Sequence, residues 1–495
     1  MASANNRHLG LAFLAAVSTG GLVYFGTGLH PWWPLMWFAP IPVLLLSARV
    51  SWWLAGLTAT VAWILGGMNL WYYFNSALHM PAGTQAVILV VPALLSAATV
   101  LLFRALLRRR AYWSAMLAFP AAWVTFEYLS SLVSPHGTAG SLAYSQLNFL
   151  PFLQLASVTG PSGMSFVLLL FSSALVVGFC THKTSSKQAI QIVIVGTGII
   201  AVVLIFGFVR LSLPVSGRLV KVGLIASDLP QNIDVAEDGA ATEQLLREYA
   251  ARAESLAAAG AEVIVIPEKL GVVTDADVKQ TDALLQGLAD RTGSTLVAGV
   301  VDVAGPVEYN QARVYRPQSV PLTYDKHHML PPFESRFQPG TSLTIMPKPS
   351  GTWGVAICKD MDFTHLSRRY GDAGVGLMLV PAWDFNVDRW AHGHLSIMRG
   401  VESGFSIARA AKQGYLTVID NRGRVLAEAR SDSSAFATLV AEVPVAHDTT
   451  IYLRLGDWFG WLAILIFVFS LVQLYRVRKN LEAGKTQTVP MLSVA

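Results

Sequence analysis

The sequence predicts a multispan α-helical membrane bundle carrying an extramembrane α/β domain. Composition points there first: 53% of the 495 residues are apolar and only 14% are charged, with a mean hydropathy of +0.48, too apolar for an ordinary soluble protein. The apolarity is concentrated into eight runs. Between the seventh and eighth lies a long stretch of mixed composition in which strand-like and helix-like segments alternate.

Runs nearly free of charge occupy residues 8–27, 32–46, 52–73, 85–107, 112–132, 161–180, 190–209 and 458–474. Most reach the roughly 18 residues needed to cross about 30 Å of hydrocarbon. The second is short and holds Pro34, Pro40 and Pro42, so it reads as either re-entrant or spanning. The first lacks a small-residue cleavage site and leads straight into more apolar sequence, so it is expected to be retained rather than removed as a signal peptide. The expected organisation is a membrane domain over 1–212 with about seven helices, an α/β domain over 218–447, a closing helix over 456–476 and a cytoplasmic tail over 477–495.

Loop charge orients the array. Arg104, Arg108, Arg109 and Arg110, then His182, Lys183 and Lys187, then Arg476, Arg478 and Lys479 fall in alternate connections, while the loops around His30, 75–83 and 134–141 carry almost none. Positive loops stay cytoplasmic, which puts both termini inside and the α/β domain on the opposite face. The formal net charge of +5 follows largely from these clusters and carries no sign of a nucleic-acid partner.

Within the α/β domain, strands are expected at 219–226, 262–266, 295–303, 355–358 and 377–380, with helices at 240–259 and 392–406. Two more strands, 414–420 and 424–429, flank the turn Asn421-Arg422-Gly423 and read as a hairpin. Residues 484–495 read as a frayed tail.

Chemistry concentrates at three places. Glu268, in IVIPEKLG, follows a short apolar strand, where a carboxylate is partly desolvated as a general base requires. Lys326 sits in YDKHHMLPPFESRFQPG. Cys358, in WGVAICKDMDF, stands where a buried strand runs out, with no second cysteine in the domain to pair with. A base, a cation and a thiol suffice for covalent catalysis: the carboxylate takes the thiol proton and the ammonium stabilises the charge that develops. Taken singly, each has a plainer reading, as a solvated loop glutamate, a surface lysine beside Asp325 and a buried structural cysteine. Cys180 ends an apolar run and reads as a packed small hydrophobe.

The joint pattern, over about residues 219–446, resembles the carbon-nitrogen hydrolase (nitrilase) superfamily, whose members carry Glu, Lys and Cys in this order at strand ends of an αββα sandwich. By motif, the resemblance implies Glu268 in VIPEK as general base, Lys326 in YDKHHML as the lysine that stabilises the tetrahedral intermediate, and Cys358 in AICKDMDF as nucleophile. It implies Glu334 in PFESRFQPG as a second glutamate that orients the lysine. The stretch LAYSQLNFLPFLQLASVTGPSGMSFVLLL, residues 142–170, and MRGVESGFSIARAAKQGYLTVIDNRGRVL, residues 398–426, look like the corresponding segments of apolipoprotein N-acyltransferases.

That narrower likeness implies a monomeric enzyme of a bacterial inner membrane with its catalytic domain facing the periplasm. A fatty acyl chain would pass from a phospholipid to a cysteine thioester, then to the α-amine of a diacylglyceryl-cysteine on an apolipoprotein. Thioester to amide runs downhill, so no cofactor or metal is expected. The chain departs from the family at Cys358-Lys359-Asp360, where Cys-Tyr-Glu is usual, and the segment from Lys326 to Cys358 is shorter. These departures keep open a membrane-tethered amidase using the same three residues. Trp383, in VPAWDF, reads as lining an acyl entrance or as a core tryptophan. His392 and His394, an i, i+2 pair, point to different helix faces and read against a metal site; no Gly-rich loop supports nucleotide binding.

Overall fold

The computed structural model describes residues 2–237 and 239–486. Among them, seven helices are long and apolar enough to cross a membrane: Asn6–Gly26, Trp52–Ser76, Ala82–Arg108, Tyr112–Val133, Ala156–Thr181, Ser186–Ser212 and Trp458–Lys479. Their outward faces are apolar, with Phe13, Val202 and Leu465 at 69%, 67% and 66% exposure, as lipid-facing side chains would be.

The remaining apolar run is broken by its prolines into helices Trp33–Phe38 and Ile41–Ser47. Together they extend about 22 Å at 1.5 Å per residue, shorter than a full span. The segment still carries the chain from one end of the bundle to the other. It runs antiparallel to the first helix: Gly26 abuts Met36, the Thr19 hydroxyl donates to the Ala39 carbonyl at 2.9 Å, and Ala12 and Ala15 cluster with Leu46. The helix after it returns parallel to the first, with Gly20 against Ala62 and Leu65, and Gly66 against Val23.

The α/β part is built from two sheets. The first runs β13 (Ala437–Val445), β1 (Arg218–Ala226), β2 (Val263–Val265), β4 (Thr295–Asp302), β5 (Tyr309–Tyr315), β6 (Leu322–Asp325), with the two-residue β3 (Val272–Val273) also on β4. The second runs β12 (Val425–Arg430), β11 (Tyr415–Ile419), β10 (Ser406–Lys412), β9 (Val375–Trp383), β8 (Thr352–Val355), β7 (Thr344–Met346). Strand alternation sorts side chains between layers. Val220, Val222, Leu224, Val263 and Val265 face the second sheet's Val355, Leu377, Leu379 and Ile407. Ile225, Ile264 and Ile266 turn outward to helices Gly239–Ala258 and Val278–Thr292. Helix Arg389–Ser403 covers the second sheet and also packs on membrane helix Ala156–Thr181. The result is an αββα sandwich resting on a helical bundle.

Several local expectations are corrected. The strand expected to end in Cys358 is β8 and stops at Val355; Cys358 opens a 3-10 turn, Cys358–Asp362. The helix expected over 392–406 ends at Ser403 because Gly404, at φ +79, caps it in the left-handed conformation and releases Ser406 into β10. The tail expected to fray from Gly484 is helical through Thr486, and residues 487–495 lie outside the described residues. The hairpin of β11 and β12 is antiparallel, with Gly423 at φ +80 and Asp420 Oδ1 accepting the N–H groups of Arg422 and Arg424, each at 2.9 Å.

Candidate active site

Three loops leaving the carboxyl ends of β2, β6 and β8 bring the sequence-derived residues together. Glu268 follows Pro267 past β2, Lys326 follows the last residue of β6, and Cys358 follows Ile357 past β8. Lys326 Nζ donates to Glu268 Oε1 and to Glu334 Oε2, both at 2.8 Å. All three side chains are buried, at 1% to 2% exposure. Lys326 is therefore a caged ammonium rather than a surface lysine. Burial disfavours its charge, but the two carboxylates outweigh that and hold it well above the ordinary lysine value. Glu334, also buried, is held below its ordinary range by Lys326 and Lys269.

Cys358 is partly buried beside this cage, at a backbone φ of +44, a conformation that L side chains rarely adopt. Its thiol donates to the Trp383 carbonyl at 3.5 Å. Burial pushes that thiol above its ordinary value, the Glu268 carboxylate adds to the effect, and Lys326 opposes it. This environment disfavours the thiolate, so the sulfur would need a base to act as a nucleophile.

Four further residues complete the arrangement; of these the sequence pointed only to Asp360, as part of the departure Cys358-Lys359-Asp360. Asn310, second residue of β5, donates through Nδ2 to Glu268 Oε1 at 2.6 Å and to Glu334 Oε1 at 2.8 Å, bridging the carboxylates. Asp360 is fully buried and ties two loops together. Its Oδ1 accepts the N–H groups of His327 and His328 at 3.1 and 2.9 Å; its Oδ2 accepts Ile357 N–H at 3.1 Å and Tyr324 O–H at 2.8 Å. Lys269 donates to Glu334 Oε1 at 2.7 Å and stands 5.0 Å from the Trp383 ring. Lys412 is fully buried, donates to the Lys269 carbonyl at 3.1 Å and lies 3.8 Å over the same ring. Burial and the neighbouring Lys269 lower Lys412 to about 7. Asn310 and Lys412 lie on strands that were not anticipated, which is why neither was noticed.

Trp383 itself contributes its carbonyl to the thiol, while its indole N–H donates to Gln413 Oε1 at 2.8 Å. His392 and His394 diverge: His392 Nδ1 lies 2.9 Å from Asp388 Oδ2, whereas His394 stacks on Trp390 at 4.6 Å. Among the described residues, no group of three or more His, Cys, Asp or Glu side chains is placed to hold a metal ion.

Two family models match in tandem. The apolipoprotein N-acyltransferase N-terminal domain matches residues 19–175, and carbon-nitrogen hydrolase matches residues 224–448. Apolipoprotein N-acyltransferase of Haemophilus ducreyi is 27% identical over 493 residues, covering 90% of this chain and 95% of its own. The chain belongs to the apolipoprotein N-acyltransferase family. Another member, from Geobacter metallireducens, is 27% identical over 384 residues, covering 71% of this chain and 72% of its own. Among solved structures, an amidase from Nesterenkonia sp. aligns at 22% identity and a TM-score of 0.41, covering 50% of this chain and 97% of that one. With seven spanning-length apolar helices among the described residues, this family member is a multi-pass membrane acyltransferase.

Proposed function

We infer that this acyltransferase moves a fatty acyl chain from a phospholipid, through a thioester on Cys358, to the α-amine of a diacylglyceryl-cysteine at the N-terminus of an apolipoprotein. The observation that carries the reading is the caged Lys326 between Glu268 and Glu334 beside the Cys358 thiol, in a chain that also carries the family's membrane domain.

In the first half-reaction, Glu268 takes the thiol proton as sulfur attacks the acyl ester carbonyl. Lys326 stabilises the oxyanion. Collapse expels the lysophospholipid alkoxide, which takes the proton from Glu268 and leaves a thioester. In the second, the neutral amine attacks the thioester carbonyl, Glu268 accepts an amine proton, and the thiolate leaves and is reprotonated as the amide forms. Glu334 and Asn310 keep Lys326 and Glu268 in register and do not react.

A lipid donor must reach this site from the bilayer. Tyr73, on membrane helix segment Trp71–Ser76, lies 6.3 Å from Phe385, and Phe385 lies 5.7 Å from Phe333 in the lysine loop. This run of rings supports an apolar approach from the bundle, which a water-using amidase would not need. The basic loops at Arg104 to Arg110 and His182 to Lys187 support a cytoplasmic location for that end, with both termini inside and the sandwich in the periplasm of a bacterial inner membrane. The enzyme is read as a monomer.

Intact-protein mass spectrometry tests the reading. Wild type incubated with phospholipid should gain one fatty-acyl mass, absent in Cys358→Ala, and lose it as a diacylglyceryl lipopeptide becomes triacylated. A folded, thiol-reactive enzyme with no adduct would instead point to an amidase.

A further inference from the structure

The turn that carries Cys358 is held from two sides, and one of them is the membrane domain. Lys359, the residue after the cysteine, is 6% exposed, and its Nζ donates to His136 Nδ1 at 2.9 Å with Asp362 Oδ2 at 3.6 Å. His136 belongs to loop 134–141, which follows membrane helix Tyr112–Val133. Two residues on, Thr138 donates its N–H at 3.3 Å and its hydroxyl at 3.2 Å to the Asp362 carbonyl, the last residue of the turn. Gly137, at φ +53, makes that approach possible, because a Cβ there would stand 2.5 Å from the same carbonyl oxygen. The loop is anchored in turn to its helix: Ser141 Oγ and Leu142 N–H donate to the Glu127 carboxylate at 2.9 and 2.8 Å. A continuous run of contacts thus joins a membrane helix to the residue beside the nucleophile.

The charges at this seam are mutually consistent. Burial and the adjacent Lys359 lower His136 to about 4, against the opposing pull of Asp362, so its ring is neutral at pH 7 and Nδ1 accepts. Burial also disfavours the Lys359 ammonium, as does Lys326, while Asp362 and Cys358 favour it. His392, on helix Arg389–Ser403, also acts on His136 electrostatically and disfavours its charge.

A cysteine held at φ +44 keeps that backbone only if its surroundings impose it. Asp360 supplies the restraint from within the sandwich. We propose that the Lys359–His136 contact is a latch through which the membrane domain sets the nucleophile turn, making His136 and Lys359 positioning residues for acyl transfer. The proposal rests on Cys358 being the nucleophile. Its consequence is that the bundle acts beyond anchoring: docking of loop 134–141 is part of building a competent site.

The test uses the full-length protein in a Cys180→Ser background, with His136→Leu and His136→Asn compared; the asparagine Oδ1 can accept from Lys359 as Nδ1 does. Three quantities are read: thermal midpoint, single-turnover acylation by phospholipid, and the pH profile of Cys358 alkylation by iodoacetamide. The expected result is that His136→Leu slows acylation about tenfold to a hundredfold and shifts the alkylation profile with little change in midpoint, while His136→Asn recovers most of both. Wild-type acylation with an unshifted profile in His136→Leu would overturn the latch. So would equal losses in both variants that follow the fall in midpoint. If His136→Leu does not fold, Thr138→Val removes a bond from the same seam and is read the same way. Turnover surviving in Cys358→Ala would sink the nucleophile reading instead, whatever His136 does.

Discussion

At the residue scale, the site works by opposed charges kept out of water. Two carboxylates and an ammonium in direct contact are stable only as a set, because removing one leaves the others buried and unpaired. Cys358→Ala should keep the fold and lower turnover by at least about a thousandfold, since it removes the proposed nucleophile at nearly constant volume; activity assay beside a thermal scan checks it. Asn310→Leu should lower acylation about tenfold or more, because Glu268 and Glu334 each lose a buried donor. His392 makes a pH-dependent contribution to stability. Burial disfavours its charge, but Asp388 and then Asp384 raise it from 6.5 to about 9. A folded value above the unfolded one means stability fully present below pH 6.5 and lost as pH rises through about 9. The destabilisation caused by His392→Gln should therefore be largest below pH 6.5 and fade above 9 in thermal midpoints measured across pH.

At the scale of elements, the site depends on loops whose strands come from both sheets. Glu268 and Lys326 leave the first sheet and Cys358 leaves the second, so Asp360, binding backbone donors from the lysine loop and from Ile357, fixes one loop against the other. Helix Arg389–Ser403 fixes the sandwich on the bundle. Arg399 is fully buried, donating through one terminal nitrogen to Glu402 at 2.9 Å and to Tyr144 O–H at 3.0 Å, and through the other to Thr138 at 3.1 Å. Arg399→Met should destabilise the protein by about 3 to 5 kcal/mol, because Glu402 stays behind without its partner; a thermal shift read alongside the conservative Arg399→Lys checks it. A neutral outcome in Arg399→Met would mean that Glu402 is accommodated as the protonated acid, toward which burial already pushes it, to about 8.

At the scale of the whole molecule, topology decides where acylation happens. A cysteine at Arg110 and one at Lys279, introduced singly, should be labelled by an impermeant maleimide from opposite faces, the first in inverted vesicles and the second in spheroplasts. Labelling of both from one face would remove the proposed orientation. The membrane runs and the Glu268, Lys326 and Cys358 motifs were legible in the sequence, because hydropathy is summed locally and the chemistry of each motif rests on residues adjacent in the chain. Glu334, eight residues after Lys326, came from the family resemblance of PFESRFQPG rather than from its own local chemistry. Where Pro40 and its neighbours shortened a crossing, the sequence showed the breakers but not the course, which the packing of Gly26 and Thr19 set. Strands β5 and β10 are hard to read from sequence because both are buried on two faces yet carry polar and charged residues there, Asn310, Gln311 and Arg313 in one and Arg409 and Lys412 in the other, where a strand buried on both faces is expected to be apolar. With them were lost Asn310, which joins Glu268 and Glu334 from two loops of its own sheet, and Lys412, which reaches across the sandwich to the Lys269 carbonyl. By itself the sequence determined which segments are long and apolar enough to enter a membrane and which side chains are candidates for the chemistry, since both follow from local composition and motif. Only the tertiary structure decided how the base, cation and thiol are caged, and that His136, 222 residues before Cys358 in the chain, stands beside the nucleophile turn, because burial and contact depend on partners brought together from distant sequence.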